Sequence, residues 1–381
     1  MTTTPRTERQ EPGSPTAARW TLLVIFTLAV IALIDVGTGN LRARMRNKAT
    51  AEAERLEGRY RVSNPRYHHD LKPDMSTDSA MWGPIRYPVT TNSLGFKDSR
   101  IRDVPLTDSL YRILFIGDSF TEGDGIPFDS TFVGVVQARM ALRGGEALNA
   151  GVVSYSPIIY WKKVEDLLVR RGLRVNAVVV FMDISDIQDE ALVYQLDGSG
   201  SVIDKPLAKG WWWARNSMFY RLVRRGVLTL SPRDPFMGCG DTEFGDLTCR
   251  AAWTTSPTIM RQWGKLGLAV ADTHMTRLAA LLRDRNVPLT VVVYPWPQQL
   301  AANDRSSIQV SYWQAWAQRE RTGFVELFAP FFAKVDSLGV RGTLDKYFIG
   351  GDIHWNSAGH ELVASEFLAH FPFPPPRTVK P

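Results

Sequence analysis

Cysteine is nearly absent from this sequence: there are two in 381 residues, Cys239 and Cys249. Nine residues separate them, with no second pair and no adjacent histidine, which excludes an ordinary zinc site. An oxidising compartment would join them as a local staple, and a reducing one would leave two thiols. Histidine is scarce too. The six are His68, His69, His274, His354, His360 and His370, so any imidazole chemistry has few sources. There is no internal repeat. The formal charge is +6, yet zinc-finger spacing, an RNA-binding aromatic signature and a basic recognition helix are all missing. Nucleic acid is therefore the least fitting partner, leaving anionic lipid or an acidic glycan.

What is present is an ordinary apolar content, 44%, enough for one large domain or two modest ones. Residues 1–19 are polar and rich in Thr, Pro, Arg and Glu, and read as a disordered tail. An apolar run follows, and 20–37 falls just within the length that a membrane span needs. No small-x-small cleavage site follows it, so the run reads as an uncleaved transmembrane signal anchor. Flanking charge gives no support for export: Arg6, Arg9 and Arg19 precede it, while Arg42, Arg44, Arg46 and Lys48 follow. Residues 38–110 are a stalk and N-terminal extension. Their first part is charged, Ala-rich and helical. The rest has little helical period and holds the pair His68-His69, expected as surface or packing residues.

From residue 111 to 370 strand and helix signals alternate. Apolar runs at 113–116, 147–149, 177–182, 289–294 and 323–327 read as strands buried on both faces. Helical patterns fall at 130–142, 158–171, 258–285, 307–321 and 357–370, the last capped by Asn356. Repeated βα units predict an α/β fold with a parallel sheet and right-handed crossovers. An insertion at about 187–257, with Trp211, Trp212 and Trp213 and both cysteines, reads as a cap. Residues 371–381 form a Pro-rich tail.

The first strand run ends at Gly117-Asp118-Ser119. Gly117 lets the chain turn and leaves Ser119 in the loop after a strand's carboxyl end, where open α/β sheets carry ligands. Serine hydrolysis needs a nucleophile, an imidazole and a carboxylate to orient it. His354, just before the last helix, has Asp352 two residues ahead of it, near enough to pair locally. His360 falls in the predicted helix, where a structural or capping role is the default, and His274 and His370 are also helical. An acidic cluster, Asp183, Asp186, Asp189 and Glu190, would suit a metal-dependent phosphatase. No His-rich partner motif accompanies it, so a surface or hinge role is the plainer expectation. No metal and no cofactor are assigned.

The block Gly117-Asp118-Ser119-Phe120-Thr121 together with the loop Asp352-Ile353-His354 resembles the SGNH/GDSL hydrolase superfamily. The resemblance covers about residues 112–370. It implies a doubly wound, flavodoxin-like parallel sheet of about five strands, with Ser119, His354 and Asp352 as catalytic triad. The run Asp352-Ile353-His354-Trp355-Asn356 and the segment Asn92-Ser93-Leu94-Gly95-Phe96 look like the exported, membrane-anchored branch, which includes domains related to alginate O-acetylation. By that likeness the chain is a single-pass membrane protein. Its catalytic domain is extracytoplasmic (periplasmic), an ester hydrolase or O-acyltransferase on an acylated glycan, beside a membrane acyltransferase partner. Two departures qualify the expected oxyanion donors, the N–H groups of Ser119 and Ser154 and the side chain of Ser185. Ser154 stands where the family has Gly, and Ser185 where it has Asn. A backbone N–H survives the first change. The second exchanges an amide for a hydroxyl, and a weakly active accessory or glycan-binding domain is the alternative reading.

Overall fold

The computed structural model describes residues 17–206 and 250–371. The tails, Trp211–Trp213 and the pair Cys239 and Cys249 lie outside the described residues. Two units are distinguished, dividing after Glu52. In the first, the described chain is helical, part of the helix Ala17–Glu57. Within it Arg19–Leu41, 23 residues, is long and apolar enough to cross a membrane by length and composition.

The second unit opens with two antiparallel hairpins. Strand β1 (Arg61–Asn64) pairs with β2 (His68–Leu71), and β3 (Ser76–Trp82) with β4 (Ile85–Thr90). The central sheet then uses β5 (Tyr111–Ile116), β6 (Gly145–Asn149) and β7 (Ala177–Met182). A small hairpin, β8 (Tyr194–Leu196) with β9 (Val202–Asp204), intervenes before β10 (Leu289–Val293) and β11 (Gly323–Glu326) complete the sheet. All neighbours in this five-stranded sheet are parallel, in the order β11-β10-β7-β5-β6. Counting only its own strands in chain order, that is 5-4-3-1-2, the doubly wound flavodoxin-like order. Strands β7 and β10 are buried at every position because helices cover both faces. Helices Phe132–Ala141 and Phe328–Tyr347 pack against Ser357–His370, while Pro157–Glu165 and Asp186–Leu192 pack against Lys265–Arg283.

Two expected boundaries move. Tyr60, Tyr67, Leu71, Tyr87, Val89, Leu94 and Phe96 are buried in the same core as the sheet, so the extension before residue 111 is part of the domain body. Residues 92–98 form a tight turn in which Asn92 Oδ1 accepts from Leu94 and Phe96 N–H, and Lys97 bridges antiparallel to Asn149 at the end of the edge strand β6. The expected insertion also shrinks. Helix Asp186–Leu192 packs so tightly on Lys265–Arg283 that a Cβ on Gly267 would stand 2.0 Å from the Ile187 carbonyl oxygen. On the far side Trp253 is buried and donates to the Ile184 carbonyl at 2.8 Å. Residues 187–206 and 250–257 therefore belong to the body rather than to a cap.

Candidate active site

The strand order reverses between β5 and β7, and a crevice opens at the carboxyl ends of strands on either side of such a point. Ser119 follows β5 and Asp183 to Ser185 follow β7, so the topology brings them together. The turn after β5 demands a residue without a side chain: a Cβ on Gly117 would lie 2.1 Å from Thr121 Oγ1 and 2.9 Å from the Phe181 carbonyl oxygen. Asp118 then caps the short helix Ser119–Glu122, its Oδ1 accepting from Phe120 N–H at 3.0 Å. This leaves Ser119 at the first helical position, where its own N–H is one of those a helix cannot satisfy internally.

His354 reaches Ser119 from 235 residues away. Its loop is closed by a bridge between Phe348 and Trp355 and by Ile349 N–H donating to the His354 carbonyl. Asn356 stitches its base, donating to the Lys346 and Phe348 carbonyls and accepting from Ala358 and Gly359 at the helix start. Trp355 turns inward among Phe120, Tyr294 and Phe331 and is fully buried. Its neighbour His354 is thereby held against the site, with Phe120 stacked on its ring at 4.5 Å.

His354 Nε2 lies 2.8 Å from Ser119 Oγ, and His354 Nδ1 lies 2.6 Å from Asp352 Oδ1. A carboxylate only accepts, so the proton sits on Nδ1 and Nε2 is free to accept from the Ser119 hydroxyl. Asp352 Oδ1 also accepts His354 N–H at 3.1 Å. The remaining oxygen, Oδ2, accepts the indole N–H of Trp82 at 2.8 Å, and the Trp82 ring meets His354 edge-on at 4.7 Å. Burial pushes the Asp352 carboxyl up, but the His354 ring, the His354 N–H and the Trp82 indole outweigh it and hold the group at about 2. Trp82 was not legible as a site residue: it comes from hairpin β3–β4, 270 residues from its partner.

The residues expected as oxyanion donors fall in different settings. Ser154 is exposed, in left-handed backbone with φ 59°, and its N–H has no acceptor among the described residues. Ser185 is buried, and its N–H is taken by Asp183 Oδ1 at 2.7 Å, so only its hydroxyl is left to donate.

The acidic cluster separates. Glu190 accepts from Ser156, from Ile158 N–H and from His274, and is structural. Asp189 pairs with Arg250. Asp183 and Asp186 instead join Asp118 in a buried trio whose oxygens lie within 4.8 Å of one another. Besides backbone N–H groups, three aromatic side chains donate to it: Tyr294 to Asp118, Trp296 to Asp183 and Tyr160 to Asp186. Burial, then the neighbouring acids, raises Asp118 and Asp186 well above the carboxylate range. Hydroxyl and indole donors thus engage each carboxyl of the trio, while Asp186 Oδ1 stays buried without a hydrogen-bond partner among the described residues.

Of the other histidines, His360 is buried and neutral, driven down to about 3 by burial and by Lys97, with Nδ1 accepting from Phe132 N–H at 3.2 Å. His370 is exposed at a helix end. Behind the helix Ser119–Glu122, buried Lys97 donates to the Gly123 and Ile126 carbonyls at 2.7 Å each. Arg61 contacts Glu122 and Asp124 there. Burial and Glu122 push Asp124 up to about 7 in spite of Arg61 and Lys97.

No family model matches the chain, and no curated protein does. Among solved structures, the chain is similar to TesA at 14% identity, covering 68% of this chain and 97% of that one, TM-score 0.38. An acetylxylan esterase from Geobacillus stearothermophilus matches at 14% identity over 71% of this chain and 98% of that one, TM-score 0.40. A GDSL-like lipase from Bacteroides thetaiotaomicron matches at 10% identity over 68% and 86%, TM-score 0.35.

Proposed function

We propose that this chain is a membrane-anchored serine ester hydrolase or O-acyltransferase whose triad is Ser119, His354 and Asp352. The observation that carries the reading is the unbroken chain of contacts, 2.8 Å from Ser119 Oγ to His354 Nε2 and 2.6 Å from His354 Nδ1 to Asp352 Oδ1. Ser119 Oγ attacks the acyl carbonyl carbon while its proton passes to His354 Nε2. The imidazolium, steadied by Asp352, returns that proton to the departing alkoxide and leaves an acyl group on Ser119. An acceptor hydroxyl then attacks the acyl-serine carbonyl, giving its proton to His354, which passes it back to Ser119 Oγ. If the acceptor is water the reaction is hydrolysis, and if it is a sugar hydroxyl it is transfer. The oxyanion of each tetrahedral state would lie against the N–H groups of Ser119 and Ser154 and the Ser185 hydroxyl.

An acylated extracytoplasmic glycan is the proposed substrate, a membrane acyltransferase the proposed partner, and the helix segment Arg19–Leu41 the anchor. The motif likeness of the Asp352 loop and of residues 92–96 to exported, anchored domains supports this. The test is p-nitrophenyl acetate turnover by the full chain in detergent, with fluorophosphonate labelling read by mass spectrometry. Wild type is expected to turn over and to be labelled on Ser119, and Ser119→Ala and His354→Ala to lose both. Turnover that survives Ser119→Ala would overturn the reading. Adding a soluble sugar acceptor and measuring how acetate divides between sugar and water distinguishes transfer from hydrolysis.

A further inference from the structure

The imidazoles of His68 and His69 take no part in the reaction above, yet His69 touches the loop that carries Ser154 and His68 packs against His69. Their Nδ1 atoms lie 2.8 Å apart, and His69 Nε2 lies 2.7 Å from the Val153 carbonyl oxygen. A carbonyl only accepts, so His69 bears its proton on Nε2. Burial keeps the ring neutral, down at about 3. Its Nδ1 is therefore bare, and the proton between the two rings belongs to His68. Tyr155 packs edge-on against His69 at 4.9 Å and donates its hydroxyl to the His69 carbonyl at 2.6 Å, fixing both ring and backbone.

The Val153 carbonyl and the Ser154 N–H are opposite ends of one peptide unit. That unit is planar and trans, so the two groups point in opposite directions, and whatever holds the carbonyl aims the N–H. Ser154 is in left-handed backbone, which a residue with a side chain keeps only when its surroundings impose it. Three side chains do so. Glu122 Oε2 accepts Val153 N–H at 2.8 Å, Tyr194 donates to the Ser154 carbonyl at 2.9 Å, and His69 donates to the Val153 carbonyl. Among the described residues, every backbone polar group of Val153 and Ser154 is thus occupied except the Ser154 N–H.

We propose that His69 is a positioning residue for acyl transfer: by holding the Val153 carbonyl it fixes the peptide plane that presents the free Ser154 N–H to the oxyanion of the reacting ester. The proposal rests on the reading of Ser119 as the acyl-transfer nucleophile. His69 makes no contact with substrate in it and acts only through Ser154.

The experiment compares full-length wild type, Ser119→Ala, His69→Phe and His69→Gln in p-nitrophenyl acetate kinetics, with thermal melts on each. Phe keeps the ring volume and loses the donor, while Gln restores a donor at about the reach of Nε2. Loss of one oxyanion donor costs about 100- to 1,000-fold, and a misaimed one somewhat less, so His69→Phe is expected to lower kcat about 10- to 100-fold with KM little changed. His69→Gln is expected to regain a large part of that. If Ser119→Ala abolishes turnover while His69→Phe keeps the wild-type kcat, the positioning role is overturned and the nucleophile stands. A merely structural role, also overturning the proposal, would show as a parallel loss of kcat and melting temperature that His69→Gln does not restore. If wild type has no turnover, or Ser119→Ala retains it, the nucleophile reading falls and the His69 proposal falls with it.

Discussion

Replacing Trp82 by Phe would remove one hydrogen bond to the Asp352 carboxylate and little else, since a phenyl ring keeps the edge contact with His354. A hydrogen bond to a charged group contributes about 1.5–3 kcal/mol. The Asp352 side chain is 24% exposed, so water can replace part of the indole's donation, and about 1 kcal/mol is the fitting figure. If that loss falls on the imidazolium-like transition state, kcat drops about 5-fold. Asp352→Asn, which removes the charge and favours the wrong tautomer, should cost far more, about 10,000-fold. The carboxyl sits at about 2 in the folded chain, below the unfolded value of about 3.9. A group depressed on folding stabilises fully above its unfolded pKa and loses that contribution as pH falls through its folded one. The stability gap between wild type and Trp82→Phe should therefore be widest at neutral pH, narrow below about pH 4 and close near about pH 2. Steady-state kinetics and urea melts across this range measure both effects. An unchanged kcat in Trp82→Phe beside a crippled Asp352→Asn would refute the idea that the indole holds the carboxylate.

Three further outcomes are expected. Gly117→Ala drives a methyl group into Thr121 and the Phe181 carbonyl, and should cost about 1–3 kcal/mol in denaturant melts together with most fluorophosphonate labelling. Lys97→Met leaves Glu122 and Asp124 with Arg61 as their cation and frees two carbonyls, a loss of about 3–5 kcal/mol measurable by urea unfolding. His360→Leu orphans the Phe132 N–H and should cost about 1–3 kcal/mol, with labelling of Ser119 retained in the folded fraction.

The readable parts of this chain are those in which pattern and contact are local. All five central strands lie where the apolar runs fall, with β7 and β10 buried throughout, whereas the edge strand β11 buries only Val325 and so departs from the expected burial on both faces. Asp352 and His354 are two residues apart, so their pairing is visible in the spacing. The strand order is not carried by any run; the motif resemblance implied it. The hairpins of residues 61–90 were missed because their strands are short and unevenly buried, as in β3. Helix Phe328–Tyr347 was unassigned; Gly339 and Gly342 weaken its pattern, and Gly339 takes a non-helical backbone inside it. His69 and Trp82 gave no signal because their partners, Val153 and Asp352, lie 84 and 270 residues away. For the same reason the pair His68-His69 read as no more than surface or packing.

Both hairpins ahead of the sheet end on the machinery, one at the Val153 carbonyl and the other at Asp352. Along the chain residues 91–110 link them to β5, with 105–110 exposed, and across the fold Asp70 pairs with Lys163, Arg61 with Glu122 and Tyr87 with Asp124. A truncation starting at β5 would keep the proposed triad of Ser119, His354 and Asp352 and discard His69 and Trp82, the side chains that hold the Val153 carbonyl and the Asp352 carboxylate. If the proposed triad works, the smallest active fragment is expected to begin near Tyr60, well upstream of Ser119.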